Sequence, residues 1–199
     1  MKVVLVGCGD STGKDTFCGF MLSHLRMKQK QVKAVNFAYK LKMVCFELYG
    51  WGGLKRPEFY EEFPSEKNKI IPALSSLFGA EKSARQIWID IAKKCREYDD
   101  NVFINSTFDN SELDWLIVRD FRYPNEYDQA KKRFTDVTTV EVLREGFGQF
   151  KYGLTDFKFD ITVHNDGDRK RLNELAIRTI AEIQSKLVLT EGNNWLLKR

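Results

Sequence analysis

The sequence predicts an α/β protein in which a mostly parallel sheet is covered by helices on both faces. Three observations predict it. Short, β-branched apolar runs alternate with amphipathic stretches along the 199 residues. The first apolar run opens onto a glycine-rich loop, and a helical pattern follows at once. No repeat or low-complexity tract breaks the alternation. In such a sheet ligands gather at the carboxyl ends of the strands. Each candidate motif below sits at such an end or on a helix near one.

Taken in order, residues 2–6, whose last four are a continuous apolar run, read as a buried strand. From Lys14 to about Met27 the apolar residues Phe17, Met21, Leu22 and Leu25 recur at helical spacing. Residues 31–37 are a second strand candidate. Residues 41–49 are helical, and Gly50-Trp51-Gly52-Gly53 stops them. Residues 54–80 are the least regular part, punctuated by Pro57, Pro64 and Pro72, and read as a mobile insertion with short helices. Ser83 is placed to cap a helix running to about Glu97, and Asp100 to cap another through about Phe108.

Residues 115–118 form the third strand, ending in Arg119-Asp120. Residues 124–134 are a charged helix with Pro124 near its first turn. Residues 137–143 are the fourth strand. Residues 146–158 are rich in glycine, aromatics and basic side chains. The fifth strand, residues 160–163, ends in His164-Asn165-Asp166-Gly167, and a long amphipathic helix covers about 169–187. The apolar Trp195-Leu196-Leu197 packs either on the body of the chain or on a second subunit, so a homodimer stays open.

Composition narrows the function classes. The chain is 43% hydrophobic and 13% aromatic, enough for a full core and one domain. Thirty-two Lys and Arg against 28 Asp and Glu leave a formal net charge of +4, which suits small anionic substrates and is too weak to argue for nucleic acid. The four cysteines, Cys8, Cys18, Cys45 and Cys95, show no C-x-x-C spacing, and His24 and His164 are the chain's two histidines. A zinc site is not expected; free thiols in a reducing compartment are. No apolar run is long enough to span a membrane, and the one before Gly7 is too short for a signal segment, so a cytoplasmic protein is expected.

The stretch V-V-L-V-G-C-G-D-S-T-G-K-D-T, residues 3–16, carries the clearest chemistry. Strand, glycine turn and helix together point backbone N–H groups at a phosphate. Gly9, Gly13, Lys14, Asp15 and Thr16 are the ATP phosphate-binding candidates, with Lys14 a point charge for the β- and γ-phosphates. The stretch departs from G-x-x-x-x-G-K-[ST] twice. Cys8 holds the first glycine position, where it reads as a packed thiol, and Asp15 stands where a hydroxyl usually meets Mg²⁺. Asp15 can hold that ion through water or orient the phosphoryl acceptor.

These runs also carry a resemblance. G-K-D-T, then N-F-A-Y-K-L-K-M-V-C-F-E-L-Y-G-W, A-R-Q-I-W-I-D-I-A-K-K-C-R, V-R-D-F-R-Y-P-N-E and F-D-I-T-V-H-N-D-G resemble, in order, the bacteriophage deoxynucleoside monophosphate kinases. The resemblance covers about residues 3–185. It implies a three-layer P-loop kinase fold with five strands, an acceptor-binding insertion at about 37–110 and a lid at about 144–158. It also implies transfer of phosphate from ATP to a deoxynucleoside monophosphate, with Mg²⁺, in the host cytoplasm. Lys40 stands where the family has proline, and Ile89 and Ala92 where it has Gln and Gly, so the base preference stays open.

The candidate roles follow, each beside its structural alternative. Asp120 could hold Mg²⁺ through water, or cap the helix at Pro124; Arg122 could fork onto the acceptor's phosphate, or form a surface ion pair. Asn125 and Glu126 are expected to fix the first helical turn. Phe37, Lys40, Lys42, Arg85, Gln86 and Trp88 are acceptor candidates, against core packing for the aromatics and a solvated face for the lysines. Arg144, with Lys151 and Lys158, would serve a closing lid and stabilise the transferring phosphoryl, or belong to a hairpin-like connection. Asn165, Asp166 and Gly167 would lie by the adenine, or form a plain turn. His164 is not expected to be catalytic. Other acceptors stay open, dephospho-coenzyme A or a modified base in DNA among them, as does a nucleotide-binding module without catalysis.

Overall fold

The computed structural model describes residues 1–7, 9–108, 112–148 and 152–196. Cys8, Lys151 and Leu197, each singled out above, lie outside the described residues. The chain divides into two compact units: Met1–Val35 with Ser111–Arg199, and Asn36–Asn110.

The first unit is built on five strands, β1 (Lys2–Gly7), β2 (Val32–Val35), β3 (Trp115–Phe121), β4 (Asp136–Leu143) and β5 (Ile161–His164), in the order β2-β3-β1-β4-β5. Every pairing is parallel. The most apolar run therefore takes the centre: Val3, Val4, Leu5 and Val6 are all buried. Helix α1 (Lys14–Met27) follows β1, and α8 (Arg169–Leu196) follows β5. Phe17, Cys18, Met21 and Leu25 of α1 pack with Leu172, Ala176, Ile180 and Ile183 of α8 over Val4, Val6, Trp115, Ile117, Val140 and Val142. These strand residues are two apart, as one sheet face requires.

The opposite face carries Gly7, whose missing side chain leaves room for Phe121 and Phe159. Phe157 packs edge-on against Phe121, Phe159 and Tyr127, the last from helix α7 (Pro124–Arg133). Helices thus cover both faces, in the three-layer P-loop arrangement expected, with the glycine loop following the central strand.

The second unit is helical: α2 (Tyr39–Tyr49), α3 (Pro57–Glu62), α4 (Pro72–Phe78), α5 (Ala84–Tyr98) and α6 (Val102–Thr107). Pro57 and Pro72 each open a helix at its first turn, where a missing N–H costs nothing. Ser83 caps α5 in a reciprocal box with Gln86. No described helix is long and apolar enough to cross a membrane.

Several element boundaries differ from the sequence reading, most by one or two residues, and four differences have a structural reason. Strand β2 is the four residues Val32–Val35, because an edge strand pairs on one side and the chain leaves the sheet at Asn36. Strand β3 runs on through Arg119 and Asp120 to Phe121, because β1 still pairs with it at Gly7. Asp100 does not cap α6: Asn101 holds the cap position, with its N–H bonded to Asp99 Oδ1 at 2.9 Å. Helix α8 runs beyond residue 187 to Leu196.

Candidate active site

The phosphate loop joins β1 to α1. Ser11 (φ 64°) and Gly13 (φ 91°) take left-handed backbone, which turns the loop back on itself. Thr12 Oγ1 and Lys14 Nζ both donate to the Gly9 carbonyl, at 3.3 and 3.2 Å. The ammonium thereby lies over the loop rather than out in solvent. No side chain caps α1, so its first-turn N–H groups are available to an anion.

Two neighbouring segments hold the loop. Asn165 is buried, and its Nδ2 donates to the Thr12 carbonyl at 2.8 Å, while its own N–H donates to Leu143 O at 2.7 Å. A side-chain atom on Gly13 would collide with that amide. Asn165 was read as an adenine-loop candidate; its amide nitrogen is committed to the phosphate loop. Asp166 and Gly167, the next two residues, are exposed. On the other side Gly148 (φ 75°) presses its backbone against Gly9, and a side-chain carbon there would come within 2.6 Å of Thr12 Cγ2. The segment read as a lid meets the phosphate loop through two glycines.

Four charges surround the first turns of α1. The Cys18 thiol, one helical turn beyond Lys14, is pushed far up by burial first and then by the Asp15 carboxylate. Arg119 and then Lys14 oppose this, and Asp120 adds to it. The adjacent Lys14 and Asp15 and the distant Asp120 therefore all act on one thiol, and Arg119, which sequence reasoning passed over, joins them. The signal was present: in W-L-I-V-R the alternation puts Arg119 on the face of Trp115 and Ile117, toward α1.

Arg122 follows β3 directly. Its N–H and that of Tyr123 donate to the buried Glu126 carboxylate at 2.7 and 3.1 Å, and its carbonyl accepts from Gly153 N at 3.2 Å. Glu126 thus fixes the first turn of α7. Arg144 and Lys158 are exposed, and the Arg144 guanidinium stands 4.7 Å from the Phe147 ring centre. Within the described part of the 144–158 segment, Tyr152–Leu154 form a short 3₁₀ turn. His164 is exposed at the end of β5.

The acceptor candidates belong to the helical unit. Phe37 is buried edge-on against Phe108, ring centres 5.7 Å apart. Trp88 is buried perpendicular to Tyr60 at 5.0 Å, with Lys42 Nζ 5.1 Å from its ring centre. Gln86 Oε1 accepts the Ser83 N–H at 2.9 Å, so that end of the amide serves the helix cap. Arg85 is half-buried beside it, and Lys40 is exposed.

Among the described residues no group of three His, Cys, Asp or Glu side chains could hold a metal ion. Asp15 is exposed in the first turn of α1, and Asp120 is half-buried near the end of β3.

No family model matches the chain, and no curated protein matches it. Among solved structures it is similar to the shikimate kinase of Aquifex aeolicus vf5, at 15% identity over 98% of this chain and 99% of that one, with a TM-score of 0.34. A likeness at that score adds nothing to the argument; the fold rests on the strand order and the loop.

Proposed function

We propose that the chain is a phosphotransferase that moves the γ-phosphoryl group of ATP to a deoxynucleoside monophosphate, giving ADP and the diphosphate. The observation that carries the reading is the loop between β1 and α1, with Lys14 folded over it and an uncapped helix N-terminus behind it. The motif order shared with the phage kinases supports the acceptor class.

In this reaction an oxygen of the acceptor's phosphate forms the new bond to the γ-phosphorus, and the bond to the β,γ-bridging oxygen breaks in line. The attacking oxygen is already anionic at neutral pH, so no general base is needed, in keeping with an exposed His164. The loop amides and Lys14 bind and orient the triphosphate. Arg122 binds the acceptor's phosphate, and Arg144 closes with the lid to exclude water and steady the transferring charge. Asp15 and Asp120 would hold Mg²⁺ through water, and the ion supplies charge neutralisation. Arg85 and Lys42 are the acceptor-side cations of this reading.

The test is product analysis after incubation with ATP and Mg²⁺, using the four common deoxynucleoside monophosphates, their ribose forms and 5-hydroxymethyl pyrimidine monophosphates. The expected result is diphosphate from one or a few deoxy acceptors. ATP binding without any diphosphate would overturn the acceptor assignment.

A further inference from the structure

We infer that Arg119 is a second phosphate-binding cation of this site, set beside Lys14 by a bulge in β3, and that it engages the triphosphate of the nucleotide donor. The inference deepens the proposed function and rests only on its phosphate-loop part.

The sheet register locates the side chain. Val118 pairs with Leu5 on one side and Val35 on the other. The next residue of β3 paired with β1 is Phe121, opposite Gly7. Arg119 and Asp120 therefore stand against Val6 alone. Such a bulge is common next to active sites, because it re-aims the side chains at the end of a strand. Trp115 and Ile117 point into the core under α1. Arg119 is the next residue on that face, half-buried where the core gives way to the loop end of the sheet. The Cys18 thiol, one turn along α1 from Lys14, is acted on by the Arg119 charge as well.

The charge balance then assigns a role. With Lys14 alone, one cation would stand beside the carboxylates of Asp15 and Asp120, and Asp10 adds a third acid in the loop itself. Arg119 adds a second cation there, and the helix N-terminus also favours an anion. A guanidinium also offers a planar fork that matches two phosphate oxygens, which an ammonium does not. The competing role is that of a counter-ion that steadies Asp15 or Asp120 and never meets the nucleotide.

The two roles separate by phosphate number. Binding of ATP, ADP, AMP and adenosine is measured by calorimetry for the wild type, Arg119→Ala, Arg119→Lys and Lys14→Ala, alongside melting of the unliganded proteins. Arg119→Ala should weaken ATP by about 10- to 100-fold, ADP by less, and AMP and adenosine hardly at all, with Arg119→Lys restoring part of the loss. An equal loss for all four ligands, or no loss for ATP, overturns the inference. Should the alanine variant fail to fold, the ATP-to-AMP affinity ratio of Arg119→Lys decides alone: a lowered ratio supports the inference and an unchanged one refutes it. A wild type that binds ATP through Arg119 but phosphorylates no monophosphate leaves this inference standing and removes the proposed reaction. Phosphate transfer with ATP affinity untouched by Arg119→Ala does the reverse.

Discussion

In the sheet unit, polar groups around the loop are tied to backbone and leave an open anion site; in the helical unit, the candidate groups are tied to one another. Asn165, Thr12 and Lys14 all bond to carbonyls of residues 9–13, and the N–H groups of α1 carry no cap. Phe37, Trp88 and Gln86 are instead held by Phe108, Tyr60 and Ser83. The difference is what a rigid phosphate cradle and a helical wall each demand. A cradle spends side chains to shape backbone donors, while a helical wall spends them on its own packing and its helix caps.

The largest test of the contrast is Lys14→Ala. It should lower ATP turnover by about 10²- to 10³-fold with no loss of folding, because the charge is removed from an already formed loop. Turnover and circular dichroism together check it. Near-normal turnover in a folded variant would mean that the loop is not the donor site.

Next comes the glycine contact. Gly9→Ala drives a carbon into the backbone of Gly148, which cannot swing aside as a flexible side chain would. We expect a loss of about 1–3 kcal/mol in chemical unfolding, or displacement of the 144–148 segment. Either outcome weakens ATP binding. Combining Gly9→Ala with Gly148→Ala should cost less than the sum of the two, since both crowd the same contact and one displacement of the segments answers both.

Asn165→Ala removes one buried hydrogen bond to the loop and should cost about 1–2 kcal/mol while raising the Kd for ATP. In the helical unit, Gln86→Ala should cost about 0.5–1 kcal/mol through the lost half of the capping box. Its KM for the acceptor should stay within about twofold of wild type, since the amide oxygen is already occupied. A large KM change there would make Gln86 a direct acceptor contact and blur the contrast between the units.

The smallest effect is on thiol reactivity. Burial holds Cys18 well above the ordinary thiol range and pushes Cys45 up to about 12, with Cys95 nearby adding to the latter. Raised values keep both protonated and unreactive at neutral pH. Among the three cysteines of the described residues, alkylation at pH 7.5 followed by peptide mapping should label half-buried Cys95 first, and Cys18 and Cys45 only on unfolding. Early labelling of Cys18 would show that the first turns of α1 open readily.

Much of this was legible in the residues because the phosphate end is local. A strand, a glycine turn and a helix within residues 3–16 need no distant partner to be recognised, and Ser83 with Gln86 announces the start of α5 just as directly. What escaped depends on contacts across the chain. Nothing near Asn165 in sequence says that its amide will reach Thr12, 153 positions away. Gly148 reads as one glycine of a loose segment until its backbone meets Gly9. The bulge at Arg119 is a property of the β1–β3 register, which alternation within β3 alone cannot reveal. The acceptor aromatics stayed ambiguous for a physical reason: a flat ring that packs a core and one that stacks a base have the same sequence signature.

The most direct measurement is transfer from γ-labelled ATP to the monophosphate panel under single-turnover conditions. The account predicts that the label appears in a deoxynucleoside diphosphate, and that Lys14→Ala slows this by about 10²- to 10³-fold without changing the fold. Label released only as inorganic phosphate, at the same rate with and without every acceptor, would contradict it.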